Sequence, residues 1–184
     1  MSRSSVAQAV AQLRDAGVIL HATEGVWGLA CDPFNEDAVA RLLGLKSRAV
    51  QKGLIVVGAN ERQFSSELMT LAPDQLRMVR DSWPGPVTWL LPNQRFADWV
   101  TGGRDTVAVR VSAHPQVRAL SVAFSGPLVS TSANPAGLAP ALDEDQARSY
   151  FPHGIAYVLP GDVLEPGAPS SIRTLSGQWL RGAE

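Results

Sequence analysis

The sequence is poor in cysteine and lysine and has no long apolar run, and each shortage narrows what the protein can be. Its one cysteine, Cys31, has no partner for an internal disulfide, which fits a reducing compartment. Three scattered histidines, His21, His114 and His153, show no metal-ligand spacing, so no metal held by protein side chains is expected. No stretch of signal-peptide type opens the sequence, and no apolar run approaches the ~20 residues of a membrane span. A cytoplasmic protein without membrane contact is expected. Net charge is also scarce: 16 basic against 17 acidic side chains leave −1, so no global positive field draws the chain onto nucleic acid.

Familiar catalytic motifs are missing as well. The nearest approach to G-x-x-x-x-G-K-[ST] is Gly44-Leu45-Lys46-Ser47, which lacks the first glycine and the Gly-Lys junction. Neither G-x-G-x-x-G nor G-x-S-x-G occurs. S-x-x-K fails at both lysines, because Leu43 and Ala49 hold the serine positions. What remains suits a site of cations and hydroxyls, with little acid–base or covalent machinery. Phosphoryl or nucleotidyl transfer is the matching chemistry, since positioning and charge stabilisation carry most of it.

What is present is an ordinary globular composition. With 184 residues, 45% hydrophobic and 18% charged, residues 1–184 are expected to form one domain. Val6, Ala9, Val10 and Leu13 recur at helical spacing after Ser4 and Ser5 as caps, with Gly17 as the stop. Val18–Leu20 reads as a strand, and Asn35 caps a helix carrying Val39, Leu42 and Leu43 inward. Further strands are expected at Leu54–Val57, after the turn in Trp83–Pro92, and at Thr106–Val111, Leu128–Ser130, Ile155–Leu159 and Ser171–Leu175. Helices are expected near Glu61–Met69, Pro73–Ser82, Pro115–Phe124 and Asp143–Phe151, with Gly102-Gly103 and residues 161–167 in surface loops. The irregular alternation predicts an α+β fold: a twisted mixed sheet with helices packed around it.

Two segments carry the chemistry. Fourteen of the sixteen basic residues are arginine; both lysines, Lys46 and Lys52, flank Arg48, and no acid occurs from Ala38 to Asn60. Lysine offers a compact point charge of the kind that binds phosphate, although a helix C-terminus also favours cations and accounts for Lys46. The second segment, S-T-S-A-N from Ser130 to Asn134, sets hydroxyls and an amide at a strand's C-terminal end. It reads as a phosphate- or hydroxyl-recognising loop or as a simple Ser/Thr turn. Arg110, inside V-A-V-R-V, faces either solvent or a cleft.

These pieces together resemble the YrdC-like family, in particular its short single-domain threonylcarbamoyl-adenylate synthases. The resemblance rests on A-T-E-G-V-W-G-L-A-C-D (22–32), L-K-S-R-A-V-Q-K-G-L-I-V (45–56), W-P-G-P-V-T (83–88), A-V-R-V (108–111), P-L-V-S-T-S-A-N (127–134) and P-S-S-I-R (169–173). It implies a concave, positively lined cleft and the form without an additional C-terminal domain. It also implies conversion of ATP, L-threonine and bicarbonate to threonylcarbamoyl-adenylate and pyrophosphate, assisted by Mg²⁺. Partner proteins would then use the adenylate to modify tRNA.

By this resemblance Lys46, Arg48 and Lys52 are the catalytic cations, and Ser132, Asn134, Arg110 and Ser170 hold the nucleotide. Thr23 and Thr131 are expected to touch threonine, and Glu24 is considered as the base for its amine. The chain departs from the family pattern at Ala22 and Gly25, where proline and a second threonine are frequent, and at Gly53, where proline is frequent. A non-catalytic RNA-binding module working through the same basic cleft is the alternative, with weak RNA contact. A carbamoyltransferase is disfavoured because the acylphosphatase and zinc-finger segments are absent.

Overall fold

The first helix, α1 (Arg3–Arg14), buries the expected stripe of Val6, Ala9, Val10 and Leu13. The structure is a computed structural model that describes residues 3–165, 167 and 169–182. Pro166 of the expected 161–167 loop and both ends of the expected 1–184 domain lie outside the described residues. The helix already begins at Arg3, so Ser4 and Ser5 sit in its first turn rather than before it. Its end also differs from expectation. Ala16 takes the left-handed conformation (φ 55°), and Gly17 donates its N–H to the Gln12 carbonyl. Gly17 is glycine for space: a Cβ there would stand 2.6 Å from that carbonyl oxygen and 2.8 Å from Ala156 Cβ.

The chain then runs through β1 (Ile19–Ala22), β2 (Trp27–Cys31), α2 (Glu36–Leu45), a 3-10 turn at Val50–Lys52 and β3 (Ile55–Gly58). A second 3-10 turn, Glu61–Phe64, leads into α3 (Ser65–Leu68), followed by α4 (Pro73–Asp81), β4 (Val87–Pro92), α5 (Asp98–Thr101) and β5 (Thr106–Val111). Next come α6 (Pro115–Phe124), β6 (Leu128–Ser132), α7 (Glu144–Tyr150), β7 (Tyr157–Leu159), β8 (Ser171–Thr174) and β9 (Trp179–Arg181). Asn35 caps α2 as expected, its side chain accepting from the Ala38 N–H. Strand β6 runs two residues past its expected end, so Thr131 and Ser132 belong to the sheet rather than to a loop.

Among the described residues, nine strands form one sheet in the order β7-β1-β2-β6-β3-β5-β4-β8-β9. The pairs β1–β7, β3–β5 and β4–β8 are parallel and the rest antiparallel, which is the mixed sheet that the sequence predicts. Strand alternation divides this sheet into two different faces. Leu29, Val56, Trp89, Val107, Val109 and Val129 enter the larger core beneath α2 and α4. On the other face, Ile19, Ala30, Val57 and Leu128 are covered by α1 and α6. That cover stops short, and the remainder of the second face is the floor of a cavity.

Strand β9 was not expected from the sequence, because three residues leave too little periodicity to read. It is held by the stacking of Arg173 between two indoles, 5.4 Å from the Trp89 ring centroid and 4.9 Å from that of Trp179.

Candidate active site

The cavity has a volume of about 360 Å³ and opens over the uncovered part of the sheet. Ile55, Ala108 and Ser130 lie side by side across its floor, as the β6–β3–β5 register requires. Arg110 pairs with Val57 on the same face and is only 5% exposed, so it lines a cleft and not an open sheet surface. Its neighbours Val109 and Val111 point into the core. Five cations, Arg48, Lys52, Arg104, Arg110 and Arg181, face one carboxylate, Glu24, among the described lining residues.

That carboxylate is already committed. Glu24 Oε1 accepts from Arg110 Nη1 at 2.6 Å, Ser112 Oγ at 2.6 Å and the Ala113 N–H at 3.0 Å. Burial alone raises its pKa, but the charge of Arg110 and the hydrogen bonds from Arg110 and Ser112 outweigh this and hold it down to about 2. A carboxylate so stabilised takes up a proton poorly, and Glu24 is not placed to serve as a general base. The other cations repel one another. Burial, then neighbouring Arg104, lowers the pKa of Arg48; burial, then Arg48 and Arg110, lowers that of Arg181. A polyanion entering here relieves that repulsion.

The loop carrying Thr23 and Glu24 is shaped by local bonds. Thr23 Oγ1 donates to the Val26 carbonyl at 2.6 Å, closing the turn between β1 and β2. Ala22 donates its N–H to Gln116 Oε1 at 3.1 Å, a bond that proline at this position could not make. Gly53 has φ 64°, which proline cannot adopt, and a Cβ there would stand 2.9 Å from Arg104 Nη1. The departures at 22 and 53 thus have local physical reasons.

The Sua5/YciO/YrdC family model, described as telomere recombination, matches residues 11–182. The chain belongs to this family. It is 49% identical to a threonylcarbamoyl-AMP synthase of Halorhodospira halophila over 178 residues, covering 96% of this chain and 93% of that one. It is also 49% identical to the threonylcarbamoyl-AMP synthase of Pseudomonas aeruginosa strain UCBPP-PA14, covering 100% of both chains. Among solved structures, P. abyssi Sua5 complexed with L-threonine superposes with a TM-score of 0.89 at 26% identity, over 96% of this chain. This chain spans about half of that longer protein, 52% of its length. E. coli YciO shares the fold, with a TM-score of 0.79 at 18% identity over 98% of this chain and 92% of its own.

The structure brings most of the singled-out residues to one cavity. Thr23, Arg48, Lys52, Arg110, Thr131, Ser132 and Ser170 all line it. Thr131 does so although alternation, which pairs it with Leu29, directs its side chain to the face opposite Ser130 and Ser132. Ser170 Oγ shares a hydrogen bond with Thr88 Oγ1 at 2.9 Å. Lys46 and Asn134 lie just behind the wall. Lys46 Nζ donates to the Ser132 carbonyl, the Asn134 carbonyl at 2.8 Å and Asn134 Oδ1 at 3.3 Å, using all three of its hydrogens. Burial, then the charge of Arg48, lowers its pKa to about 8. Asn134 Oδ1 also accepts from Ser132 Oγ at 2.6 Å, so this pair fixes the end of β6.

Sequence reading missed Arg104 and Arg181 and left the orientation of Glu24 open. Arg104 follows the Gly102-Gly103 turn, and Arg181 rides on the unexpected β9; neither segment carries a periodic signal. The partner that makes Glu24 a clamp, Arg110, is 86 residues distant in sequence.

Proposed function

We infer that this protein is a threonylcarbamoyl-AMP synthase, converting L-threonine, bicarbonate or CO2, and ATP to L-threonylcarbamoyladenylate and pyrophosphate. One observation carries the reading: five cations and a single neutralised carboxylate line one cavity, in a chain 49% identical end to end to proteins of that name. The threonine amine and CO2 give a carbamate and a proton. A carbamate oxygen then attacks the α-phosphorus of ATP, and the bond to the β-phosphate oxygen breaks as pyrophosphate leaves with the electron pair. Both partners are anions, so the barrier is dominated by repulsion and by charge growing on the leaving group.

Arg48 and Lys52 offset that charge from the cavity wall, and Lys46 adds its charge from behind Ser132. Arg110, Ser132 and Ser170 hold phosphate or carboxylate oxygens, Asn134 keeps Ser132 in place, and Thr23 and Thr131 border the threonine. Mg²⁺ would arrive with ATP and be held by its phosphates, since Glu24, the carboxylate among the described lining residues, is engaged by Arg110 and Ser112. Bound in that way, it supplies charge neutralisation at the phosphate oxygens. The adenylate, a reactive mixed anhydride, passes to partner proteins that place the threonylcarbamoyl group on tRNA. No helix among the described residues is long and apolar enough to cross a membrane.

Purified protein with Mg²⁺ and ATP is expected to release pyrophosphate only when both L-threonine and bicarbonate are present. No release from folded protein would falsify the reading. RNA binding that survives Lys52→Ala and excess ATP, without such release, points instead to a binding module.

A further inference from the structure

We propose that Glu24 is a positioning residue, gripping one end of the Arg110 guanidinium so that its Nη2 is presented to an oxyanion of the substrate. This rests on the synthase reading above. A guanidinium is planar and rigid, so fixing one of its N–H groups aims the others at a carboxylate or phosphate. In Arg110 the other end is occupied: Nη1 donates to Glu24 Oε1 at 2.6 Å and to the Gly85 carbonyl at 3.4 Å. Nε is buried away from the cavity, whereas Nη2 is not, and among the described residues none occupies it. The free Nη2 of a nearly buried guanidinium that lines the cavity is thus matched to a ligand and not to the protein.

The grip is itself anchored. Oε1 is tied to the β5–α6 junction by Ser112 Oγ and the Ala113 N–H. The Glu24 backbone carbonyl accepts the N–H groups of Leu164 at 3.0 Å and Glu165 at 2.9 Å, from the segment ahead of β8. Three stretches of chain meet at this residue. Without the carboxylate, only the 3.4 Å contact with the Gly85 carbonyl would hold Nη1 against the repulsion between Arg110 and Arg181. An oxyanion could come from the threonine carboxylate or from a phosphate of ATP, and the two are separable by experiment.

Glu24→Gln keeps the size and removes the charge that holds Nη1. The expected result is a roughly tenfold loss of affinity for L-threonine or for ATP, but not for both, read as KM and as calorimetric binding, with kcat within about twofold. The substrate affected identifies the oxyanion. In an Arg110→Ala background the same substitution is expected to add nothing, because Glu24 acts through Arg110. Losses that multiply in the double variant, or a kcat loss with a displaced pH profile and unchanged KM, overturn the proposal. If Glu24→Gln is unstable, Ser112→Ala removes one anchor and should give about a threefold loss on one substrate, absent in the Arg110→Ala background. Unchanged affinity in that variant overturns the proposal. Calorimetry with L-threonine and with ATP does not require turnover, so a wild-type protein that binds but makes no adenylate fails the synthase reading while still testing the clamp.

Discussion

Replacing Lys52 with alanine removes an exposed amine that has no hydrogen-bond or ion-pair partner among the described residues, so the folded state gives up almost nothing. Unfolding free energy is expected to change by less than ~0.5 kcal/mol, while kcat/KM for ATP falls at least ~tenfold through the loss of a cation at the phosphates. Lys46→Met should do the opposite first. It strands the Asn134 carbonyl and takes one of two donors from the Ser132 carbonyl and from Asn134 Oδ1, at a cost of about 1–3 kcal/mol in urea denaturation, before any effect on turnover. The sequence marked both lysines because they are its only two and no acid lies near them. The helix-end reading set Lys46 apart from Lys52, but not by its acceptors, which come from the end of β6 and just beyond it, 86 and 88 residues away.

At the scale of elements, the β8–β9 hairpin brings Ser170, Ile172 and Arg181 to the cavity while sitting at the edge of the sheet. Its hold on β4 depends on the Trp89–Arg173–Trp179 stack. Removing the guanidinium in Arg173→Ala is expected to cost about 1–2 kcal/mol locally, raising hydrogen exchange of β8–β9 amides roughly tenfold while β1, β2 and β6 keep their protection. KM for ATP should rise with it, because Arg181 loses its fixed position; unaltered exchange in the hairpin would count against the stack as its fastening. The longer elements were legible because apolar periodicity is a local property: β5 and α6 match their expected bounds, Thr106–Val111 and Pro115–Phe124. Strand β9 was not, since a three-residue edge strand is defined by its neighbours.

Across the whole molecule, the buried His21 and the half-buried Glu24 couple folding to pH in the acid range. Burial, foremost, lowers the pKa of His21 from 6.5 to about 4, and Glu24 is lowered from 4.5 to about 2. In both cases the unfolded chain binds more protons between the two values, so stability rises with pH there. Acidification should therefore destabilise first from pH 6.5 toward 4 through His21, then from 4.5 toward 2 through Glu24, each on the order of 3 kcal/mol. Urea titrations across this range check it: His21→Gln should flatten the upper arm and Glu24→Gln the lower, and identical slopes in the variants would refute the assignment. By itself the sequence determined the mixed α/β class, most helices and strands, the lack of P-loop and G-x-S-x-G motifs, and the segments bearing the cations. Those features depend on residue type and short-range spacing. Only the tertiary structure decided that Arg110 faces a cavity, that Lys46 stands behind the wall while Lys52 stands free, that Arg104 and Arg181 complete the cationic set, and that Glu24 is a clamp. Each of these depends on which distant strands lie side by side and where the helical cover of one sheet face ends, and no local pattern encodes that.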